Sequence, residues 1–296
     1  MSRIRESRAI QPLMPAAKYA RSLYCLATSP IRLMPDFMII GAQKGGTTSL
    51  YAYLVQHPNI FSALDKEMHF FDVHFHKGVL WYRSHFPTSI HKHYIENISM
   101  QDFLTGEATP DYLFHPHAPK RIAAFLPYVK LIVLLRNPVE RAYSGYFHEV
   151  HMGRETLSFE DAIASEEERT EEGRGKVAAG EIYESYNRGH FSYLARGIYV
   201  DQLQTWFSFF PREQILILKS EDLYAQPATI FRQTLAFLNV PIFEPKRLKK
   251  EGYEQYNKTM EKPPAMDPAL RKRLVEYYEP HNARLYKLLD RDFGWN

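Results

Sequence analysis

The residues best suited to chemistry lie in one stretch, Gly41-Ala42-Gln43-Lys44-Gly45-Gly46-Thr47-Thr48-Ser49, which combines three glycines, a lysine and three hydroxyls. Glycines let a backbone turn back so that successive N–H groups point inward, and a helix starting there adds about half a positive charge at its first turn. Such a turn cradles a phosphate, and Lys44 sets a cation inside it. A Gly-rich strand-to-helix turn with no ligand is the plainer alternative; the lysine favours the anion. The common nucleoside-triphosphatase loop puts its lysine directly after the last glycine and follows it with Ser or Thr for magnesium. Here Lys44 precedes Gly45-Gly46, and Thr47 stands where that lysine would be.

A second segment discriminates further. The apolar run Val129 to Leu135 ends in Arg136-Asn137-Pro138, where a magnesium-dependent phosphotransferase often carries an aspartate that helps hold the metal. Arg136 offers instead a planar fork of donors suited to a phosphate. Ser144, eight residues on, falls about two helical turns later and can donate a hydroxyl to the same anion. Two cationic points at two strand ends suit a ligand with two phosphate-bearing ends, held without metal.

At these residues the chain resembles a family. Gly41 to Ser49 is similar to the 5′-phosphosulfate loop of sulfotransferases that use 3′-phosphoadenosine 5′-phosphosulfate, and Arg136-Asn-Pro-Val-Glu-Arg-Ala-Tyr-Ser144 to their 3′-phosphate motif. Lys66-Glu-Met-His-Phe-Phe-Asp72 resembles the heparan sulfate N- and O-sulfotransferase branch, where the corresponding glutamate takes a proton from the acceptor hydroxyl or amine. The resemblance runs from about Pro35 to Asn296. It implies that Lys44, Gly45, Gly46, Thr47, Thr48, Ser49, Arg136 and Ser144 bind the donor, with Lys44 also catalytic, and that Glu67 is the base. It implies a carbohydrate acceptor, a polysaccharide or glycolipid sugar. The late cofactor loop of the relatives is reduced here to Asn257-Lys-Thr-Met-Glu-Lys262, so Lys258 or Lys262 would cover the 3′-phosphate. Relatives commonly have lysine where this chain has Ala108, and some have arginine at the position of Thr48; these departures bear on the acceptor more than on the donor.

The chemistry agrees with the role of Glu67: an attacking oxygen or nitrogen must shed a proton as its bond to sulfur forms, and a carboxylate within reach accepts it. His69 and Asp72 stand in the same segment, either as satisfied half-buried residues, the plainer reading for a histidine beside two phenylalanines, or as groups that touch the acceptor or orient their neighbours. His74, His76, Lys77, His91, Lys92 and His93 either line a groove for an acidic glycan or form a polar surface. Two other classes stay open: a P-loop kinase-like phosphotransferase, and a nucleotide- or glycan-binding protein without catalysis.

These residues need a scaffold. Asp36 to Ile40 is a continuous apolar run that stops at Gly41, the pattern of a buried parallel strand, and Thr47 to about Gln56 reads as the helix after the loop. Val129–Leu135 followed by Val139 to about His151 repeats the unit, and Gln214–Leu218 is a further strand. Strands alternating with helical stretches predict an α/β fold, a P-loop-like doubly wound parallel sheet with helices on both faces in a single domain, residues 35–296. Leu194–Phe210, Pro227–Leu238 and Pro268–Leu289 read as amphipathic helices. The acidic stretch from about Phe159 to Lys176 reads as a solvated helix ending in a mobile loop at Gly173-Arg174-Gly175.

Composition bounds the rest. With 37 Lys and Arg against 34 Asp and Glu in 296 residues, the chain lacks the charge excess of a nucleic-acid coat protein. One cysteine, Cys25, excludes an internal disulfide and any cysteine-based metal cluster within the chain. No run approaches the roughly 18–20 apolar residues of a membrane span, which points to a soluble, cytoplasmic protein. Residues 1–34 carry six basic side chains against Glu6 alone and read as a poorly ordered basic leader; a weak contact with an anionic lipid surface is the sharper reading.

Overall fold

Five short strands carry the apolar runs: β1 (Phe37–Gly41), β2 (Ile60–Ser62), β3 (Leu104–Ala108), β4 (Lys130–Leu135) and β5 (Ile215–Lys219). The structure, a computed structural model, describes residues 13–245 and 263–295. All neighbouring strands pair in parallel, in the order β2-β3-β1-β4-β5, with Ile39 opposite both Ala108 and Ile132, and Leu134 opposite Leu218. Successive side chains of a strand face opposite sides, so each strand feeds two cores. Met38, Ile40, Leu131, Val133, Ile215 and Ile217 pack on one side with Leu203 and Trp206 of the helix Tyr199–Phe207 and Leu285 of the helix Pro268–Leu289. Phe37, Ile39, Ile132, Leu134 and Leu218 pack on the other with the helices Thr47–Leu54 and Pro227–Leu238. The doubly wound sheet expected from the sequence is present.

The connections leave β1 toward β3 and β2, and leave β4 toward β5. Adjacent strands whose connections run in opposite directions open a crevice at their carboxyl ends, the usual place for a ligand in such sheets. The crevice here is flanked by the turn after β1 and the turn after β4.

Three local expectations are corrected. The acidic stretch forms two helices, Phe159–Ala164 and Glu166–Ala179, and does not stop at Gly173. Glu166 is buried and accepts the N–H groups of Leu194 (2.6 Å) and Ala195 (2.9 Å), while a Cβ on Gly173 would lie 2.0 Å from Ser185 Oγ. Glycine serves close packing there, not a turn. The span Leu194–Phe210 is split into a 3-10 turn, Ala195–Gly197, and the helix Tyr199–Phe207, because Gly197 lies against Tyr278, whose hydroxyl would be 2.7 Å from an added Cβ.

The described part of the leader, residues 13–34, contains regular structure. Leu13–Ala27 is helical, and Arg32 is buried, donating to Phe86 O (2.6 Å), Thr28 Oγ1 (2.8 Å) and the thiol of Cys25 (3.4 Å). With Leu33 N–H on Pro87 O and the Arg83 guanidinium on Arg32 O, residues 32 and 33 are fastened to the 83–87 segment. Among the described residues no helix is long and apolar enough to cross a membrane. Lys258 and Lys262 lie outside the described residues.

Candidate active site

The turn after β1 is shaped by backbone contacts that admit only glycine at one point. A Cβ on Gly45 would stand 2.6 Å from Leu134 O and 2.9 Å from Ala42 O, and Gly46, at φ +94°, is the residue from which the helix Thr47–Leu54 starts. Ala42 N–H donates to Leu134 O (2.9 Å), tying the turn to β4. Of the residues Gly45 to Ser49, which the resemblance implies bind the donor, not all have a free backbone N–H. Gly45 N–H donates to Ala42 O (2.9 Å) and Ser49 N–H to Gly46 O (3.1 Å), which leaves Gly46, Thr47 and Thr48 as the donors of the open first turn. Gly45 therefore shapes the loop: its carbonyl accepts the Ser220 hydroxyl, and its own atoms stay out of the cleft wall.

Lys44 has φ +67°, the left-handed region that an L-residue enters at some cost. Burial, and then the charge of Arg136, push its ammonium below the usual lysine range. Arg136 Nη1 donates to Lys44 O at 3.1 Å, and the Arg136 carbonyl accepts the Tyr199 hydroxyl at 2.9 Å, so the turns that carry the two cations are braced against each other. Two cations crowded together and partly desolvated form a site that an anion of high charge relieves.

One cleft gathers Lys44, Gly46, Thr47, Thr48, Ser49, Glu67, Arg136 and Ser144. Those residues come from three separate stretches of chain, and the structure brings them together as the sequence suggested. His69 and Asp72 do not line the cleft. Asp72 is buried, and its Oδ2 lies 2.8 Å from His69 Nδ1. Burial opposes a charged His69, but the hydrogen bond to Asp72 and the negative charges of Asp72, Asp111 and Glu67 outweigh it and raise the imidazole to about 9. His69 is thus an imidazolium at neutral pH and unfit to accept a proton. Glu67, at φ +55° and half-open to solvent, is the carboxylate in this segment that lines the cleft.

Several residues in or beside the cleft escaped the sequence reading. Lys66 Nζ donates to Thr48 Oγ1 (2.6 Å) and lies 3.2 Å from Glu67 Oε1, joining the anion loop to the proposed base. A cation therefore reaches this region although position 108 is a buried alanine in β3. His148 lines the cleft four residues after Ser144 in the helix Pro138–His151, one turn further along the same face, a spacing that could have revealed it. Burial, then the Lys44 charge, hold it below the usual histidine range. Asp111 and Tyr224 follow β3 and β5. Asp111 is kept ionised against burial by the charges of Arg196, 2.6 Å away, and His69. The wider set of possible acceptor residues is divided: His74, His76 and Lys77 follow the Glu67 loop, with Lys77 Nζ 4.3 Å from the Trp81 ring centre, whereas His91, Lys92 and His93 ride on the helix Ser89–Asn97, where His91 packs on Phe61 and Phe103.

Comparison with known proteins gives consistent matches. Residues 34–283 match the family model described as the sulfotransferase domain. The heparan sulfate glucosamine 3-O-sulfotransferase 3A1 of Mus musculus is 32% identical over 285 residues, covering 89% of this chain and 65% of that protein. The membrane-associated sulfotransferase kil1 of Dictyostelium discoideum is 28% identical, covering 88% and 66%. The chain thus spans about two thirds of the length of these curated relatives. A crystal structure of a sulfotransferase from Alicyclobacillus acidocaldarius superposes with a TM-score of 0.66 at 32% identity, covering 89% of this chain and 99% of that one.

Proposed function

The chain belongs to the sulfotransferase domain family, and from that premise we propose that it transfers a sulfuryl group from 3′-phosphoadenosine 5′-phosphosulfate to a hydroxyl or amine of a carbohydrate acceptor. The observation that carries this reading is the single cleft with Lys44 and the first turn of the helix Thr47–Leu54 beside Arg136 and Ser144, and with Glu67 in its lining. The donor set fits the nucleotide: two cationic points for two phosphate-bearing ends, with hydroxyls at Thr47, Thr48, Ser49 and Ser144 as further partners.

The nucleotide supplies an electrophilic sulfur and a phosphate leaving group. Glu67 accepts the proton that the acceptor atom loses as it attacks. Lys44 and the N–H groups of Gly46, Thr47 and Thr48 stand where leaving-group charge builds, and a preorganised donor of this kind is worth about 3 kcal/mol of barrier. Arg136 and Ser144 hold the far phosphate and so govern affinity. His69, held as a cation by its hydrogen bond to Asp72, donates charge and hydrogen bonds within this loop and leaves the proton-accepting role to Glu67.

The named relatives that act on heparan sulfate glucosamine support a glycan as acceptor. The test is to incubate the purified protein with donor labelled in its sulfate and a panel of glycans, glycolipids and phenols. Label in a glycan is the expected result; label only in phenols rejects the carbohydrate. Calorimetry with adenosine 3′,5′-bisphosphate against ATP separates this reading from a phosphotransferase, which requires ATP to bind better.

A further inference from the structure

Glu107 of β3 is buried at 1% exposure, and the reaction proposed above gives it no part. Its carboxylate collects three hydroxyls. Tyr82 donates to Oε1, Thr109 Oγ1 donates to Oε2 at 2.7 Å, and Tyr112 OH lies 3.4 Å from Oε1. The surroundings are aromatic: Phe70 stacks on Tyr82 with ring centres 4.6 Å apart, and Phe71 meets Tyr112 edge-on at 5.7 Å. An ionisable group in such a place is costly unless its hydrogen bonds hold something that matters.

What they hold is the loop of the base. The Tyr112 hydroxyl, its proton directed to Glu107, turns its lone pairs to the backbone N–H groups of Phe70 (2.9 Å) and Phe71 (3.4 Å). These two residues sit between Glu67 and Asp72, and both Glu67 (φ +55°) and His69 (φ +49°) are held in the left-handed backbone region. Strained residues of this kind persist only where the surroundings over-determine them. Arg121 ties down the same loop from its carbonyl side, donating to Phe71 O (2.6 Å) and Asp72 O (3.1 Å).

We propose that Glu107 is a positioning residue for the transfer reaction: through the Tyr112 hydroxyl it anchors the Phe70–Phe71 backbone and so aims Glu67 at the cleft and His69 at Asp72. The proposal rests on the reading of Glu67 as the base, and its test includes a readout that does not need turnover. Tyr112→Phe keeps the buried ring and removes the anchor. Expected are a fall in kcat on the order of 10- to 100-fold, as for a small displacement of a reacting group, an unchanged affinity for adenosine 3′,5′-bisphosphate, and a His69 titration by NMR that moves from about 9 toward 6.5. Glu107→Gln lowers kcat less, and adding it to Tyr112→Phe produces no further loss, because the two act in series. Tyr82→Phe, which removes a Glu107 partner but no loop contact, keeps kcat near wild type even if it lowers Tm.

Wild-type turnover and an unmoved His69 titration in Tyr112→Phe overturn the proposal. So do multiplicative losses in the double variant, a Tyr82→Phe loss as large as that of Tyr112→Phe, or a loss of nucleotide affinity that parallels the loss of kcat. If the wild-type protein transfers no sulfate to any acceptor, the functional reading fails, while the His69 titration still reports whether the anchor exists.

Discussion

His69 Nδ1 lies 2.8 Å from Asp72 Oδ2, with Asp72 buried and His69 partly so, and this pairing decides which side chain of the loop can be the base. A histidine kept protonated donates hydrogen bonds and positive charge; it does not accept a proton at neutral pH. The pairing also makes a pH prediction with a definite sign. The folded-state value of His69, about 9, lies above its usual 6.5, so the pair stabilises the fold fully below pH 6.5 and loses that contribution as pH rises through about 9. Thermal melts of wild type and Asp72→Asn should therefore differ most at pH 6 and converge toward pH 10. A constant difference across that range would show that the ion pair is not its source.

Glu67→Gln keeps the shape of the side chain and removes its capacity to take a proton. General-base catalysis is worth roughly 10²- to 10⁴-fold, and kcat should fall by that factor while adenosine 3′,5′-bisphosphate still binds. Near-normal turnover in a folded variant would falsify the assignment.

Lys44→Ala removes the cation to which the proposed reaction assigns the leaving-group charge. The expected effect is about 10²- to 10³-fold in kcat, the range seen when one preorganised donor is lost. Steady-state rates with circular dichroism as a control for folding decide it, and a variant that only raises KM moves Lys44 into a binding role.

Arg136→Ala removes the guanidinium that the proposed function assigns to the far phosphate of the nucleotide. A charge-assisted hydrogen bond is worth about 1.5–3 kcal/mol, so the donor KM should rise roughly 10- to 100-fold. Because Arg136 also donates to Lys44 O, a smaller loss of kcat accompanies it. Kinetics at saturating donor separate the two effects; a fall in kcat alone is inconsistent with a phosphate-binding role.

The residue after β4 is an arginine where a magnesium-dependent enzyme often has a carboxylate, and it lines the cleft together with Lys44. Turnover in excess chelator should match turnover without it. A strict requirement for magnesium, restored by titration of the ion, would favour the phosphotransferase reading.

The parts of the site that could be read before folding are those written in short runs of chain. The apolar run into Gly41, the lysine before Gly45-Gly46, and Arg136 followed two turns later by Ser144 each depend on neighbours within about ten residues, and strand, turn and helix periodicity report such neighbours directly. The parallel sheet follows from the repetition of that unit. Other features have partners far away in sequence. Glu107 and the Phe70 backbone meet through Tyr112, 42 residues from Phe70, and Lys66 reaches Thr48 across 18 residues. The same is true of Gly197 against Tyr278 and of buried Glu166 against Leu194, both of which overrode a helical or solvated pattern that was locally reasonable. Periodicity reports which face of an element is apolar; it carries no record of which distant hydroxyl or carboxylate that face will meet. So the sequence determined the elements of the sheet and the run of glycines, lysine and hydroxyls at the end of its first strand, while the tertiary structure decided the pairing of His69 with Asp72, the backbone contacts that hold the Glu67 loop and which N–H groups of the glycine turn stay unpaired, because each depends on burial and on contacts that exist only once the sheet is assembled.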